Sequence, residues 1–470
     1  MTARSAALSL VFLAGSLAHA QSTSYYEVSK DGHHFAVNFD EPPVAQRGVG
    51  VPFNAMPDQS VVLRRQIGGL RIVDIDGDGN NDLVAVCYIS NSFPPYDSAK
   101  DMIFFGTGSG ISTTPGWLSD EDTHTGDVQI GDLNNDGNPD IVAIHGNMRR
   151  DSVSAFYNSG SGVPTTPNYQ SNTARTMWGT AGVLADMDQD GDLDLVTTNQ
   201  GLSPDPYRPV LMFDNVGGTL TTTSVWQSAD EAVQNGIDAQ DITGDGYPDL
   251  AVAKWVNFFS GIYYNTTGVP DSLPSLEVAT DDTDRGALFC DLENDGISEI
   301  AFGGDPSRVY DIGAGVLTER YASNPPFTGP QEIGFFDIDN DGDDDFAEIH
   351  FSDGRAHLYL NRGGVLDTDP TWTYDASEVG TALAFGDLNG DGYGDLALGY
   401  SGDTCVRIFF AQAPACPADL TGDGALDFFD VSAFLSAYNA QNPIADFNND
   451  GMYNFFDVSA FLNAFNAGCP

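Results

Sequence analysis

The chain has 470 residues, of which 68 are acidic and 18 are basic, so its formal charge near neutral pH is -50. No nucleic-acid partner is expected at this charge, because phosphate backbones are recognised by clustered Lys and Arg. The hydrophobic fraction of 41% and the aromatic fraction of 11% exclude a largely disordered acidic chain. A large core divided over more than one domain is expected.

The N-terminal segment predicts export. Residues 1–20 have the features of a secretory signal, with an apolar stretch at 6–17 followed by Ala18-His19-Ala20. This stretch is too short for a permanent membrane anchor, and no later segment is expected to span a bilayer. The mature chain is therefore expected to be secreted, either extracellular or associated with the cell surface. Residues 21–60 carry no repeat and are interpreted as a lead-in segment with one strand at 34–37.

A nine-residue pattern recurs seven times. Its first copy is Asp74-Ile75-Asp76-Gly77-Asp78-Gly79-Asn80-Asn81-Asp82, and the other copies follow at intervals of 46 to 58 residues. They begin at Asp132, Asp186, Asp241, Asp291, Asp337 and Asp387. Spacing in that range indicates a repeat architecture. Each copy has oxygen-bearing side chains at positions 1, 3, 5 and 9 and Gly at position 6, as a tight loop around Ca²⁺ requires.

The pattern predicts one calcium ion per loop, because Ca²⁺ takes about six to eight oxygen ligands. The predicted ligands at positions 1, 3, 5, 7 and 9 are Asp74, Asp76, Asp78, Asn80, Asp82; Asp132, Asn134, Asp136, Asn138, Asp140; Asp186, Asp188, Asp190, Asp192, Asp194; Asp241, Thr243, Asp245, Tyr247, Asp249; Asp291, Glu293, Asp295, Ile297, Glu299; Asp337, Asp339, Asp341, Asp343, Asp345; and Asp387, Asn389, Asp391, Tyr393, Asp395. The alternative is a set of metal-free Asp/Gly turns, which closely spaced carboxylates disfavour because they repel one another.

Two of the loops depart from the pattern. Thr243 supplies only a hydroxyl, and Glu293 and Glu299 have longer side chains than Asp. The loops that begin at Asp241 and Asp291 are therefore expected to bind calcium most weakly.

Each repeat between 61 and 413 is predicted to contain four short strands. One apolar run enters the loop and a second leaves it; a third carries an aromatic or apolar pair, as in Phe156-Tyr157-Asn158, and a fourth contains a bulky residue such as Trp117. Four strands in about 50 residues suit a β-propeller blade. The last repeat has no fourth strand before Pro414, so residues 61–65 are expected to supply it and close the ring.

The motif Asp-x-Asp-x-Asp-Gly-x-x-Asp-Leu before a strand resembles the FG-GAP or VCBS repeats of integrin-α-type propellers. This resemblance implies a mainly β fold, with a seven-bladed β-propeller over residues 61–413 and calcium in its loops.

Residues 414–470 are predicted to form a second domain, in which two loops each run into a helix. A carboxylate at position 12 of each loop, as in EF-hand-type sites, distinguishes them from most of the propeller loops. Their predicted ligands are Asp419, Thr421, Asp423, Ala425, Asp427 and Asp430, and then Asp446, Asn448, Asp450, Met452, Asn454 and Asp457. The chain would thus hold up to nine calcium ions. Val431, Phe434, Leu435 and Tyr438 supply the apolar stripe of the first helix.

These two loop-helix units resemble a dockerin, a small, mainly α-helical module that docks secreted bacterial proteins onto a cohesin-type receptor. The resemblance implies a cohesin-like or cell-surface partner for residues 414–470. Dockerins use loop positions 10 and 11 for recognition, which here are Phe428-Phe429 and Phe455-Phe456. The alternative is that these rings fill the core of a very small module.

The five cysteines divide into two groups. Cys416 and Cys469 bracket the C-terminal domain and are predicted to form a disulfide, as in the disulfide-closed subgroup of dockerin-like anchors. The pairing of Cys87, Cys290 and Cys405 is left open.

No catalytic motif stands out, so no catalytic residue is assigned. His145 and His350 are each expected to be ordinary surface or packing residues. Trp178 and Trp255 could stack on a sugar ring, but the favoured interpretation is aromatic packing within the propeller strands. Two function classes remain. The favoured one is a non-catalytic recognition module for a glycan or surface protein, and the alternative is a calcium-dependent polysaccharide lyase or hydrolase attached by its dockerin.

Basic residues recur after the second strand of every repeat, on the face expected to lie opposite the calcium loops. The candidate ligand face is Lys100, Arg149, Arg150, Arg208, Lys254, Trp255, Arg308, Arg355 and Arg407. In an acidic protein such a ring would focus anionic ligands. The alternative is that each basic side chain pairs with acids of a neighbouring blade.

Overall fold

The structure is a computed structural model. It describes residues 27–30, 33–36, 51–88, 99–120, 122, 124–146, 153–172, 177–201, 207–255, 258–278, 284–324, 329–339, 341–411, 418–421, 426–445, 447 and 452–467. Within these ranges the chain is mainly β, with many small antiparallel sheets and two short α-helices. Neither helix has the length and hydrophobicity needed to cross a bilayer. Several predicted features lie outside the described residues: the signal at 1–20, Cys416, Cys469, Arg149, Arg150, Asp423, Ala425, Asp446, Asn448 and Asp450.

The strands follow the repeats. The lead-in segment contributes β1 (Glu27–Lys30), β2 (His33–Ala36) and β3 (Gln59–Val61). The first repeat has β4 (Arg65–Val73), β5 (Asp82–Cys87), β6 (Met102–Phe104) and β7 (Trp117–Leu118); the second has β8 (Thr125–Gly131), β9 (Asp140–His145), β10 (Val153–Phe156) and β11 (Tyr169–Gln170). The third has β12 (Met177–Ala185), β13 (Asp194–Gly201), β14 (Leu211–Phe213) and β15 (Trp226–Gln227).

The remaining repeats continue this order. The fourth has β16 (Val233–Gln240), β17 (Asp249–Trp255), β18 (Gly261–Tyr263) and β19 (Leu276–Glu277); the fifth has β20 (Gly286–Cys290), β21 (Glu299–Gly303), β22 (Arg308–Gly313) and β23 (Val316–Ala322). The sixth has β24 (Pro330–Phe336), β25 (Asp345–His350), β26 (Arg355–Tyr359) and β27 (Trp372–Asp375), and the seventh has β28 (Val379–Gly386), β29 (Asp395–Gly402) and β30 (Val406–Phe409).

The second to sixth repeats each form a four-stranded sheet with the strands in chain order. The first and seventh repeats share one larger sheet, because β29 pairs with the start of β4 through Ser401↔Gln66 and Gly402↔Arg65. The strand that enters each loop, called here the first strand of its repeat, contacts the first strand of the next repeat. The cycle closes because β28 of the seventh repeat contacts β4 of the first.

The seventh repeat receives its fourth strand from the N-terminal side. β3 pairs antiparallel with β30 through Gln59↔Ile408, Ser60↔Arg407 and Val61↔Val406. The predicted position of this strand, 61–65, is wrong by a few residues: the strand covers Gln59–Val61, and Arg65 already belongs to β4. Pairing here covers the outer edge of β30, which would otherwise expose unpaired backbone groups.

The hydrophobic core lies between neighbouring sheets. One cluster, for example, combines Val84, Val86 and Trp117 of the first repeat with Ile141 and Phe156 of the second. The second strands are buried along all of their length, as in β5 and β9, or along all but one residue, as in β13 and β17, because both of their faces are covered. Trp117 meets Phe156 edge-on, with the ring centroids 5.5 Å apart. The apolar runs after the acidic loops therefore pack one sheet against the next.

The C-terminal module contains α1 (Phe428–Asn439), a short 3-10 turn (Pro443–Ala445) and α2 (Phe455–Ala467). Asp427 caps α1, since its side chain accepts the Phe429 N–H while Asp430 accepts the Asp427 N–H. The two helices meet through Phe434 and Phe461, whose rings stack with centroids 4.1 Å apart. The predicted apolar stripe is partly wrong, because Leu435 is 55% exposed.

The paired phenylalanines at loop positions 10 and 11 lie on the surface. The exposed fraction is 75% for Phe428, 64% for Phe429, 74% for Phe455 and 67% for Phe456. Four large exposed rings in so small a module are unusual, because apolar surface is normally buried first. The alternative that these rings fill the module's core is therefore wrong.

Some neighbouring sheets are joined by carboxylates on their first strands. Asp238 on β16 is buried and accepts the Phe289 N–H of β20 at 2.9 Å and the Ala239 N–H at 2.9 Å. Asp127 on β8 likewise accepts the Gly182 N–H of β12 at 3.0 Å. Burial raises the pKa of Asp238 from 3.8 to about 7, although the two hydrogen bonds lower it.

Because of Asp238, the free energy of unfolding should depend on pH. The variant Asp238→Asn should lack this contribution. The folded state keeps the carboxyl protonated up to about pH 7, whereas the unfolded chain ionises it near 3.8. Between these values the folded state binds more protons, so the contribution of this group to the free energy of unfolding falls as pH rises. Unfolding titrations at several pH values should show the wild type losing stability relative to the variant from pH 4 to 7, with a constant difference above that. A difference that does not change with pH would contradict this assignment.

Candidate functional site

The seven loops share one hydrogen-bonded geometry. In the first, the Asp74 carboxylate accepts the backbone N–H of Asp78 at 3.1 Å and that of Gly79 at 2.9 Å, so position 1 organises positions 5 and 6. Gly79 at position 6 has φ +91°, a left-handed conformation that side-chain-bearing residues rarely adopt. The position-6 glycines of the other loops also have positive φ, between +81° and +96°: Gly137, Gly191, Gly246, Gly296, Gly342 and Gly392.

The carboxylate at position 9 ties each loop to its own sheet. In the third repeat, Asp194 accepts the Met187 N–H of the loop at 3.0 Å and the Asn215 N–H beyond β14 at 2.7 Å. Equivalent pairs of bonds form at Asp82, Asp140, Asp249, Asp345 and Asp395. Burial raises the pKa of Asp194 to about 8 and that of Asp140 to about 7. A cation in the loop would counter this penalty on the charged form.

The carboxylates of four loops converge. Ligand atoms lie within 4.8 Å of one another in each of these groups: Asp74, Asp76 and Asp78; Asp186, Asp188 and Asp194; Asp291, Glu293 and Glu299; and Asp337, Asp339 and Asp345. Two oxygens that bind the same Ca²⁺ at about 2.3–2.6 Å can be at most about 5 Å apart. The spacing and the all-oxygen donor set therefore fit calcium in these loops.

The fifth loop differs because an arginine reaches it. Arg320 on β23 pairs with Glu293, and its guanidinium also lies 3.3 Å from a Glu299 oxygen. The loop therefore already contains a cation beside two of its predicted ligands. The Arg320 guanidinium would compete with a calcium ion in the loop beginning at Asp291. In the loop beginning at Asp241, the Thr243 hydroxyl contacts Asp241 at 3.4 Å.

The C-terminal loops keep their position-12 carboxylates buried. Asp430 accepts the Thr421 N–H at 3.0 Å, and Asp457 accepts the Asn454 N–H at 2.8 Å. Asp419 accepts the Thr421 hydroxyl at 3.2 Å. These contacts place position 12 against the loop that precedes each helix.

The described members of the candidate ligand face all contact other groups. Lys254 is only 3% exposed and pairs with Asp230 at 2.9 Å. Arg308 pairs with Glu319, Arg355 with Asp353 and Asp375, and Arg407 with Glu378. Lys100 donates to the carbonyls of Ser119 and Asp120, and Arg208 to that of Tyr207. Much of this positive charge is therefore neutralised locally, but the acids that pair with Arg308, Arg355 and Arg407 belong to the same repeat and not to a neighbouring blade, as the alternative had assumed.

The histidines considered as candidates are buried. His145 contacts Ser154 through Nε2 at 2.7 Å and Thr125 through Nδ1 at 3.3 Å. His350 lies 3.2 Å from Glu348, which also accepts the hydroxyls of Ser307 and Tyr359 at 2.7 Å. Burial raises the pKa of Glu348, but these partners more than offset it and lower the pKa overall. Both histidines pack within single sheets, in agreement with the expectation.

A cavity at the centre of the cycle of sheets was missed in the sequence. Its wider part has a volume of about 210 Å³ and is lined on one side by Tyr88, Trp255, Arg285 and Phe351. Its narrower part, about 80 Å³, reaches Arg71, which lies 3.1 Å from Asp127 and 3.7 Å from Glu332. The first strands of all seven repeats supply residues that line the narrower part. Of these residues, the sequence analysis had singled out Trp255.

Three segments of the chain match a known repeat family. Residues 74–143, 132–197 and 337–398 match the FG-GAP-like repeat family. These three segments are FG-GAP-like. The chain is also similar to integrin alpha-8 of Mus musculus, with 36% identity over 96 residues, covering 16% of this chain and 9% of that protein. The chain thus spans less than a tenth of that relative's length. Both likenesses support an integrin-like FG-GAP repeat fold.

Solved structures agree at the level of the fold. Two crystal structures of BBS1N in complex with ARL6DN, one soaked with lead and one with mercury, each have a TM-score of 0.53 to this chain. They are 15% and 12% identical to it and cover 78% and 79% of its length, and the match covers 99% of each of their chains. At these identities the likeness shows the fold alone.

Calcium removal should have different effects on a variant of the third loop and on a variant of the fifth loop. Asp188→Asn replaces the charged carboxylate at position 3 with a neutral amide, and Glu293→Gln makes the matching change in the loop that Arg320 enters. A site filled at 100 times its dissociation constant adds about 2.7 kcal/mol to stability. We expect the difference in melting temperature between millimolar Ca²⁺ and excess chelator to shrink in Asp188→Asn and to stay as in the wild type in Glu293→Gln.

The wild type is the reference for both variants, and its melting temperature should be higher in Ca²⁺ than in chelator. Equal shrinkage in both variants would show that the fifth loop binds calcium as the third does. A wild-type melting temperature that chelator leaves unchanged would contradict calcium binding altogether.

Proposed function

We propose that the chain is a secreted, calcium-binding, seven-bladed β-propeller that recognises a surface molecule and is anchored by its C-terminal module. The observation that carries the proposal is the closed cycle of first strands, each running into an FG-GAP-like or closely similar acidic loop. In a propeller this arrangement puts the calcium loops on one face and leaves the opposite face for a ligand. The BBS1N structures, determined in complex with ARL6DN, are consistent with a propeller that serves in interaction.

Calcium would have a structural role here. The loops carry 28 of the 68 acidic residues, and the two C-terminal loops carry 7 more. Divalent cations in these loops would reduce the repulsion among these charges. Sites of modest affinity would suffice outside the cell, where modules of this kind work at about 0.1–1 mM.

The exposed phenylalanines support the anchoring role of residues 414–470. Phe428 with Phe429 and Phe455 with Phe456 occupy equivalent positions at the starts of α1 and α2, so the module presents the same aromatic pair twice. Aromatic side chains are enriched at the centres of protein interfaces. A cohesin-like or other cell-surface protein is the partner proposed for this pair of sites.

The recognition role predicts calcium-dependent binding to a glycan or surface protein. The full chain should bind at least one ligand class on an array in millimolar Ca²⁺ and lose that binding in chelator, since loss of the loops would loosen the whole ring. A parallel assay for new unsaturated uronate ends tests the lyase alternative. Formation of such ends would replace the recognition proposal with an enzymatic one, and an absence of binding to every class would contradict recognition.

The anchoring role predicts that exposed rings can be removed without unfolding the module. A variant with Phe428→Ser, Phe429→Ser, Phe455→Ser and Phe456→Ser should stay folded and secreted but no longer sediment with the producing cells. Ile444→Ser is the control, because Ile444 is an exposed apolar residue of the same module, away from the helix starts. Cell association that survives the fourfold change, or is lost equally in the control, would contradict this anchoring surface.

A further inference from the structure

Seven equivalent residues surround the centre of the ring. Each lies six positions before the first aspartate of a calcium loop, and all seven line the cavity: Gly68, Gly126, Thr180, Asn235, Arg285, Gln331 and Thr381. In six repeats this residue is left out of the register between the first and second strands, as a β-bulge. A β-bulge changes the direction in which the side chain of the extra residue points. The fifth repeat has no bulge, and there the position is Arg285, whose N–H donates to the Gly303 carbonyl at 2.8 Å.

Arg285 has an unusual environment for a cation. Its guanidinium carbon lies 4.8 Å from the centre of the Trp255 ring and 5.5 Å from that of the Phe351 ring. Nη1 donates to the Gln331 side-chain oxygen at 2.5 Å. Burial lowers the pKa of Arg285, but a guanidinium remains charged at any physiological pH.

The charge of Arg285 has no counter-charge among the described residues. Among the described residues, no carboxylate lies within ion-pair distance of its guanidinium, although the chain has 68 acidic residues. Arg71, deeper in the same cavity, shows the contrast, because it contacts both Asp127 and Glu332. A partly buried cation normally needs a counter-charge, since its loss of hydration is otherwise uncompensated. An anion from outside the protein would therefore supply the counter-charge of Arg285.

The other lining groups can bind hydroxyls. Gln66, Gln200 and Asn235 carry amides that both donate and accept, and Thr381 carries a hydroxyl. The Thr180 hydroxyl also lines the cavity, but it already donates to the Gln234 carbonyl at 2.7 Å. The Thr381 hydroxyl is buried and has no hydrogen-bond partner among the described residues. Buried polar atoms of this kind are ordinarily satisfied by water or a ligand. The Trp255 and Phe351 rings add apolar surface of the sort that packs on the C–H face of a sugar ring.

We propose that this central cavity binds one carboxylate-bearing sugar residue of an anionic polysaccharide, with Arg285 as the carboxylate ligand. The inference rests on the proposed recognition function and assigns its ligand class and site. An arginine can hold a carboxylate through two parallel hydrogen bonds, while Trp255 and Phe351 fix the plane of its guanidinium. The cavity is smaller than the roughly 300–1,000 Å³ of drug-sized sites, so a single ring fits better than an extended segment.

The mixture of groups favours a sugar acid over an acidic peptide. An Asp or Glu side chain would satisfy Arg285 but would leave the amides and the Thr381 hydroxyl without hydroxyl partners. A uronate supplies the carboxylate and several hydroxyls on one rigid ring. The anion should enter from the wider part of the cavity, because the narrower part contains the Asp127 and Glu332 carboxylates, which would repel it.

The test compares binding of defined oligosaccharides to the calcium-loaded full chain and to Arg285→Gln. The probes are galacturonate and glucuronate trimers, their neutral galactose and glucose counterparts, and a poly-glutamate peptide, titrated by calorimetry at two salt concentrations. We expect a uronate trimer to bind, the neutral trimers to bind at least about tenfold more weakly, and Arg285→Gln to lose at least about tenfold in affinity. Binding should weaken at high salt.

Two further variants guard against trivial explanations. Arg362→Gln removes an arginine that already pairs with Asp367 and does not line the cavity, and it should bind as the wild type does. Thr381→Val removes only the unpartnered hydroxyl and should weaken uronate binding without changing the melting temperature, so it tests the site even if Arg285→Gln fails to fold. Uronate binding unaffected by Arg285→Gln and Thr381→Val would overturn this site while leaving recognition intact. Binding of poly-glutamate alone, or of none of these probes, would overturn the sugar-acid assignment, whereas calcium-dependent binding on the array would still support the broader function.

Discussion

The position-9 carboxylate is the contact on which the structure of most repeats depends. It accepts the N–H of loop position 2 and, in six of the seven repeats, a backbone N–H just beyond the third strand. In four repeats that second donor is an asparagine whose side chain also reaches the preceding sheet. Asn265, for example, gives its backbone N–H to Asp249 and its side-chain NH₂ to the Met187 carbonyl, each within 2.8 Å. The position-9 carboxylate thus connects the loop to its own sheet and, through the asparagine, to the preceding repeat.

This contact explains why the loops tolerate so many buried acids. A carboxylate that accepts two backbone N–H groups is stabilised in its charged form, yet burial outweighs this and leaves the pKa of Asp82, Asp249 and Asp395 at about 6 to 7. The remaining cost of ionising these groups is largest where several carboxylates lie close together. A bound divalent cation would therefore stabilise the structure most at these positions. The fifth repeat shows a second solution to the same problem. There Arg320 takes the place of the third-strand N–H and approaches Glu299 and Glu293 directly.

The sequence predicted what depends on local pattern and missed what depends on the ring. The acidic loops, the strands around them and the strand that completes the seventh repeat follow from spacing alone, although the last was placed a few residues too late because strand ends carry little signal. Apolar periodicity could not tell that Leu435 and the paired phenylalanines face outward, because hydrophobicity does not distinguish a core from an interface. The basic residues were recognised as a set, but their partners come from other strands.

Arg285 could have been found from the same repeats by asking a different question. Positions that hold the ring together must satisfy the same geometry seven times, so they are nearly uniform: position 9 is Asp in six loops and Glu in the fifth. The position six residues before each loop occupies an equally regular place, yet it is Gly twice, Thr twice, and Asn, Arg and Gln once each. Uniform backbone geometry with varied side chains is what a binding site needs, because a ligand without sevenfold symmetry must be met by different groups on each side. In a repeat protein, the structurally equivalent position that varies is therefore the better guide to the ligand, and the position that does not vary is the better guide to the fold.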